Sequence, residues 1–259
     1  MRDGQQLSEV PARSRSSRIT LAGTRIGASP LLSREERQAL EAAALPSRSV
    51  RAGADLVREG ERTDCLYLLV EGWACRYLTT RDGSRQIAAL LVPGDTANID
   101  TLAFDSPGYG VRAMTEATVL AIPRDRALAL AADRVGIART FMFLALTDNA
   151  ILSQWALCIG RHSARQRLAH LLCELSARLD PEDGNESSFA LPVTQEQLAD
   201  ALGLTSVHVN RTMQQLRTEG LIVTASRVVT IPDVSQLRKA GEFDPAYLHQ
   251  IDSSAAASI

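Results

Sequence analysis

Ser206, Val207, His208, Asn210 and Arg211 follow Thr205 in a run that can form the first turns of a helix. Arginine can donate two parallel hydrogen bonds to guanine, and asparagine pairs with adenine in the same bidentate way. A helix start also gathers unpaired backbone N–H groups at the positive end of the helix dipole, which favours phosphate. The chemistry these residues offer is therefore the reading of base edges. Thr194 and Thr205, hydroxyls at two successive helix starts, fall where phosphates would lie.

Such side chains work only if a scaffold aims them outward. Thr194-Gln195-Glu196-Gln197 reads as a capping box, with Thr194 at the cap and Gln197 reaching back. The helix it opens carries Leu198 and Leu202 on one face, with small Ala199 between them where a second helix can cross closely. Gly203 ends it, since a left-handed residue lets the chain turn sharply. Thr205 caps the second helix, whose Val209, Met213 and Leu216 face inward. Two helices joined by a short glycine turn are a helix-turn-helix. Leu221 to Thr224, a turn at Ala225-Ser226-Arg227, and Val228 to Ile231 then form a hairpin, the winged variant.

Upstream, the sequence predicts a helix from Ser33 to about Ala44. Gly60, Gly72, Gly83 and Gly94 then punctuate short apolar segments: Cys65 to Val70, Trp73 to Thr79, Ile87 to Val92, Val111 to Met114 and Thr118 to Ile122. Asp82-Gly83 and Pro93-Gly94-Asp95 are turn signals. Short strands so spaced predict an antiparallel roll. From Arg124 the period becomes helical. Ile137, Phe141, Leu144, Asp148, Ile151, Trp155 and Cys158 alternate in steps of four and three, as a heptad seam between two copies of the helix would. A helix packed on its own roll would show the same period. Asp148 is the one charge in that stripe, and its apolar replacement would tighten such a seam. Gly160 appears as a break, and Ser163 caps the next helix.

The expected organisation is a mobile extension over 1–27, a roll over 28–132, a dimerisation helix over 133–159, a winged helix-turn-helix over 160–240 and a tail over 241–259. The fold class is α+β.

Composition excludes several alternatives. Of 259 residues, 45% are hydrophobic and 22% charged, as in an ordinary globular protein. No apolar run approaches the ~18 residues that span a bilayer, and Met1 to Thr20 carries no apolar core of a signal peptide. The expectation is a cytoplasmic protein with no membrane partner. Cys65, Cys75, Cys158 and Cys173 are scattered and read as buried small hydrophobes. No Ser/His/Asp set, phosphate loop or metal-ligand spacing stands out, so neither catalysis, a cofactor nor a metal is expected. Between Arg161 and Lys239 nine basic residues meet nine acidic ones. DNA binding there must rest on local distribution, with the acids of the 180–186 loop turned away.

A glycine-punctuated roll, a long helix and a winged helix-turn-helix, in that order, resemble the cyclic-AMP receptor and fumarate-nitrate regulator (Crp/Fnr) family over roughly residues 30–240. The likeness is strongest in Arg165 to Leu172 and Val193 to Ile222; Leu202 to Thr212 is similar to a common form of the family's recognition helix. The resemblance implies a sequence-specific transcription regulator. Its partners would be double-stranded DNA with a pseudo-palindromic operator, a second copy of the chain, and RNA polymerase. A regulatory ligand-binding module without a DNA role is the alternative. Departures matter. Ile99 falls where the cyclic-AMP binders carry a ribose-holding glutamate, and Pro107-Gly108 fall where their phosphate-holding Arg-Ser pair belongs. Cyclic-AMP binding is therefore not expected. Residues 1–64 hold no cysteine, so the iron–sulfur branch is excluded too. In the recognition helix Val207 replaces a frequent acidic residue, while Arg211 matches the family's arginine.

Overall fold

The computed structural model describes residues 21–179 and 184–249. Helix α1 (Arg34–Ala43) is held by a complete capping box: the Glu36 N–H donates to Ser33 Oγ at 3.1 Å and the Ser33 N–H to Glu36 Oε2 at 2.8 Å. Seven strands follow: β1 (Arg48–Val50), β2 (Asp55–Val57), β3 (Cys65–Glu71), β4 (Ala74–Thr79), β5 (Arg85–Leu91), β6 (Gly110–Ala113) and β7 (Ala117–Pro123). They form two antiparallel sheets, ordered β1-β7-β3 and β2-β6-β4-β5. Gly72, between β3 and β4, has φ +82°, and a Cβ there would lie 2.3 Å from the Glu116 carbonyl oxygen. Only glycine lets the two sheets connect so closely.

Helix α2 (Arg124–Asp133) turns off the roll, and α3 (Val135–Arg161) runs 27 residues along it. Gly160 does not break α3; the helix continues to Arg161, with His162 as its C-cap. Helix α4 (Ala164–Leu179) begins at Ser163, whose hydroxyl accepts from the Gln166 N–H. Strand β8 (Ser187–Ala190), helices α5 (Gln195–Leu202) and α6 (Ser206–Thr218), strands β9 (Val223–Ala225) and β10 (Val228–Ile231), and helix α7 (Val234–Gly241) complete the second unit. Strand β8 was not foreseen; it pairs with β10, making the wing a three-stranded sheet.

Both termini need correction. Residues 21–27 are no extension: Leu21 and Ile26 are buried with α1 and α3, and the Arg25 N–H donates to the Gly94 carbonyl at 2.8 Å. The remainder of the extension expected over 1–27, residues 1–20, lies outside the described residues. At the other end Phe243 and Leu248 are buried and Pro245–Leu248 forms a 3-10 turn, so residues 241–249 are part of the second unit. Residues 250–259 lie outside the described residues, as do 180–183 of the acidic loop.

The expected dimer seam is the largest correction. Ile137, Phe141 and Leu144 are buried in the core shared with α1 and the roll. Ile151, Trp155 and Cys158 are buried within the same protomer, and Ile151 and Trp155 join the core with α4, α5 and the roll. Asp148 turns inward as well, its Oδ2 accepting from Arg76 Nη2 at 2.6 Å. The helix packed on its own roll is what the period recorded. The opposite face carries Val135, Met142, Leu146 and Leu157, exposed, and Leu152 and Ile159 are exposed at the flank of the buried stripe. By length and mean hydropathy (1.3 over its most apolar window) α3 could also cross a membrane, contrary to the sequence expectation; the charges at Arg139 and Asp148 are too few to lower that mean. Its buried stripe and inward carboxylate are those of a core helix in a globular protein.

Candidate nucleic-acid interface

The helix-turn-helix is built as the sequence predicts. Thr194 Oγ1 accepts from the Gln197 N–H at 3.1 Å, and Gln197 Oε1 accepts from the Thr194 N–H at 2.8 Å. Gly203 caps α5 at φ 64°, in the left-handed region. The Leu202 carbonyl left free by this turn accepts from Arg167 Nη1 at 3.0 Å, fixing α5 to α4. Thr205 Oγ1 accepts from the His208 N–H at 3.2 Å and starts α6. Both threonines thus spend one acceptor on capping, and each hydroxyl proton remains free to donate outward.

Val209, Thr212 and Leu216 of α6 are buried. Met213, expected inward, is half-buried against the same core. On the other face Val207, His208, Asn210 and Arg211 are exposed and Ser206 is half-buried. Ser206, Val207, Asn210 and Arg211 line one open concavity together with Gln195 and Gln214, two amide side chains that the sequence reading missed. Their signal was present: Gln214 lies one turn beyond Asn210 and Arg211, and Gln195 heads the preceding helix. Val207 is 73% exposed. At the wing tip Ser226 and Arg227 both take positive φ (48° and 65°), the geometry of a tight hairpin turn.

Three acids of this unit are held in ion pairs away from the start of α6, while Glu196 stays exposed beside Gln195. Asp200 is held by Arg85 of the roll at 2.6 Å, Glu219 by Arg165 at 2.6 Å, and Glu174 by Arg178 at 2.9 Å. Hydrogen bonds from Arg165 hold the Glu219 carboxyl below its ordinary range. These acids are neutralised by arginines behind the α6 surface. Arg217 reaches Thr224 and Gln214 across the outer side. The acids at 180–183 lie outside the described residues.

In the roll, the positions where a cyclic nucleotide would be anchored serve other ends. Ile99 is buried in a 3-10 turn, and the Pro107 carbonyl accepts from the Gly60 N–H at 3.3 Å. Arg76 is the buried cation of this region, and it is already engaged: Nε donates to the Ala97 carbonyl, Nη2 to the Thr96 carbonyl and to Asp148, and its guanidinium lies 5.3 Å from the Tyr109 ring centroid. Tyr109 in turn donates to Asp100 at 2.6 Å. A phosphate placed here would have to compete with Asp148 for the guanidinium. A separate cavity of about 410 Å³ lies between the Gly94-Asp95 turn, Arg25, Phe143 and Arg178.

The cysteines are free thiols. Burial pushes Cys75 up to about 11 and Cys173 up to about 12, which fits the core role read from the sequence. Cys158 is different in its neighbours, since the end of α3 brings it beside His162 and His170. Sequence reasoning took Gly160 for a break and so did not see that Cys158 and His162 lie one helical turn apart.

A roll joined by a long helix to a winged helix-turn-helix, with hydrogen-bonding side chains exposed at the start of its second helix, defines a DNA-binding regulator with an attached sensor unit. Comparison with known proteins agrees. The cyclic nucleotide-binding domain model matches residues 47–134, and the Crp-like helix-turn-helix domain model matches residues 166–240. The transcriptional activatory protein AadR of Rhodopseudomonas palustris is 30% identical over 182 residues, covering 69% of this chain and 74% of AadR. The transcriptional activator protein FnrL of Cereibacter sphaeroides is 29% identical over 202 residues, covering 75% of this chain and 80% of FnrL. The structure of FixK2 from Bradyrhizobium japonicum superposes with a TM-score of 0.69 at 26% identity, over 76% of this chain and 96% of that one. The chain belongs to the Crp/Fnr family of DNA-binding transcription regulators. Members of this family bind DNA and act as dimers; they are not enzymes. The alternative of a ligand-binding module without a DNA role gives way to these matches.

Proposed function

We propose that the protein acts as a homodimer on a pseudo-palindromic operator, in the cytoplasm, with RNA polymerase as a further partner. The observation that carries this reading is the division of α6: Val209, Thr212 and Leu216 hold the helix to its own domain, while Val207, His208, Asn210 and Arg211 stand clear of it. Arg211 and Asn210 supply bidentate base contacts, and Val207 offers an apolar contact to a thymine methyl group. Ser206 joins them at the groove, and Thr194 and Thr205 donate to flanking phosphates. Gln195, Gln214 and Arg227 extend the surface toward the backbone.

The second copy docks on the exposed face of α3. Met142 (59% exposed) and Leu146 (61% exposed) are its centre, with Leu157 three turns further along the same face. Such a row of large apolar side chains on one helix face is what a partner covers. Two recognition helices can then meet half-sites about one DNA turn, roughly 34 Å, apart. The functional units are a sensor over 21–133, a linking helix over 135–161 and a DNA-binding unit over 162–249. The sensor is expected to read an effector other than cyclic AMP, since Ile99 and Pro107 stand where cyclic-AMP binders carry their anchoring residues.

Selection of bound duplexes from genomic DNA, followed by shift assays with the Arg211→Ala variant, tests the reading. The variant is expected to lose about 1–3 kcal/mol of operator binding and to relax preference at one base pair. Unchanged affinity and preference would remove Arg211 from the interface.

A further inference from the structure

Where the linking helix hands over to the DNA-binding unit, three metal-ligating side chains converge, two from the end of α3 and one from α4. Cys158 lies in the last turn of α3, His162 at its C-cap and His170 in the middle of α4. Each offers one donor atom, and the three atoms lie within 4.8 Å of one another. We propose that Cys158, His162 and His170 form a binding site for a thiophilic divalent transition-metal ion of the zinc type, clamping α3 to α4.

The state of His162 points to a ligand. Its side chain is only 9% exposed, yet Nδ1 is buried with no hydrogen-bond partner. A buried polar nitrogen left unpaired is unfavourable, and a cation is one partner that uses its lone pair. Its other nitrogen, Nε2, lies 3.7 Å from Glu242 Oε2, the supporting carboxylate that metal-bound imidazoles commonly have.

His170 is arranged in the same sense. Nδ1 lies 3.1 Å from the Gly241 carbonyl, which can only accept, so the ring proton sits on Nδ1 and Nε2 keeps its lone pair. Tyr247, 3.1 Å from Nε2, donates its own proton to Glu174 Oε2 at 2.9 Å. The Tyr247 hydroxyl therefore faces two acceptors with one proton, and a metal on Nε2 would leave that proton to Glu174. A backbone carbonyl fixing the far nitrogen is again an outer-shell feature of ligating histidines.

One thiol and two imidazoles suit Zn²⁺ or Co²⁺ and are wrong for Mg²⁺ or Ca²⁺, which take oxygen ligands. Zn–S near 2.3 Å and Zn–N near 2.0 Å place tetrahedral donors roughly 3.5 Å apart, so movements of about 1 Å close the set. On binding, the Cys158 thiol releases its proton to solvent and the sulfur–metal bond forms; nothing is oxidised or reduced. Three protein ligands leave a fourth position for water.

The test uses the reduced, metal-stripped full chain titrated with Co²⁺ and then Zn²⁺. The expected result is one Co²⁺ per chain, with thiolate-to-cobalt absorption in the near ultraviolet, tetrahedral bands in the visible, and displacement by Zn²⁺. Cys158→Ser should abolish the near-ultraviolet band, and Cys65→Ser should leave it intact. His162→Ala should weaken Co²⁺ at least about tenfold, the loss seen even for supporting residues, with an unchanged urea midpoint showing that the fold is kept. Absence of stoichiometric binding, a thiolate band that survives Cys158→Ser, or undiminished affinity in His162→Ala would each overturn the site.

Discussion

The Arg76–Asp148 pair gives the sharpest test of how the roll holds its helix. Both side chains are withdrawn from water, Arg76 to 6% and Asp148 to 19% exposure, with 2.6 Å between Nη2 and Oδ2. Burial works against the Arg76 cation, and the Asp148 carboxylate more than offsets it, so the guanidinium stays charged. Taking the charge centres as about 4 Å apart, an effective dielectric near 20 gives about 4 kcal/mol of attraction. Asp148→Ala removes that attraction and leaves the guanidinium buried with two carbonyl acceptors and the face of Tyr109. Breaking one partner of a buried pair costs about 3–5 kcal/mol; the surviving acceptors set the expectation at the low end, about 3. Replacing both, Arg76→Leu with Asp148→Leu, should restore stability to within about 1 kcal/mol of the parent or exceed it, because neither desolvated charge remains. Urea unfolding followed by the fluorescence of Trp73 in the roll and Trp155 in α3, completed as a double-mutant cycle, measures both. A loss below about 1 kcal/mol in Asp148→Ala, or a double variant as damaged as the single one, would refute the reasoning.

Further outcomes follow from other parts of the molecule. Leu146→Glu should shift sedimentation toward monomer and weaken operator binding with it, whereas Asp148→Ala should not act through the dimer face. Calorimetry with cyclic AMP should show no micromolar binding, since Ile99 and Pro107 stand at the anchoring positions and Arg76 is committed to Asp148. Two hydrogen bonds from Arg112, opposed by burial and aided by Tyr77, hold the Asp55 carboxyl below its ordinary value of 3.8. Its contribution to stability is complete above that value and is lost as pH falls through the lowered folded one. Acid unfolding should therefore be shallower in Asp55→Asn than in the parent over that interval.

The DNA-reading unit was legible because its signals are local. A capping box, a glycine forced left-handed and a threonine cap fix where α5 and α6 begin and end, and the side chains between them declare which face is buried. The roll was legible for the same reason, through Asp82-Gly83 and the glycine punctuation. What failed was whatever depends on partners distant in sequence. The stripe from Ile137 to Cys158 has the spacing of a coiled-coil seam, but a helix buried against its own roll produces the same spacing. The spacing does not say which neighbour supplies the contact. Asp148 was misread with it, because its partner lies 72 residues away. Leu21, Ile26, Phe243 and Leu248 are single apolar residues in polar text, so nothing local marks them as anchors. Strand β8 is too short, Ser187–Ala190, to show an alternation.

The same long-range pairing explains how the two units are held at one angle. Arg178 of α4 donates from Nη2 to the Leu90 carbonyl at 3.0 Å and to Asp95 in the Gly94-Asp95 turn, and from Nη1 to Glu174 at 2.9 Å. Glu174 is fully buried and also accepts from Trp155 Nε1 of α3 and from Tyr247 of the C-terminal segment, each at 2.9 Å. One guanidinium and two carboxylates thus bind roll, linking helix and DNA-binding unit into a single buried network, and Arg85–Asp200 ties the roll to α5 beside it. A rotation of the recognition helices away from the roll must break Arg178–Asp95 and Arg85–Asp200 together. The first of these is a buried charge pair, whose loss costs several kcal/mol. Gradual tilting is therefore disfavoured, and any reorientation is expected as a discrete step between two packings. An effector drives that step only by as much as it binds one packing better than the other. The turn at Gly94-Asp95 is where a ligand could exert that preference on the DNA-binding unit most directly, because Asp95 carries the roll's half of the connection.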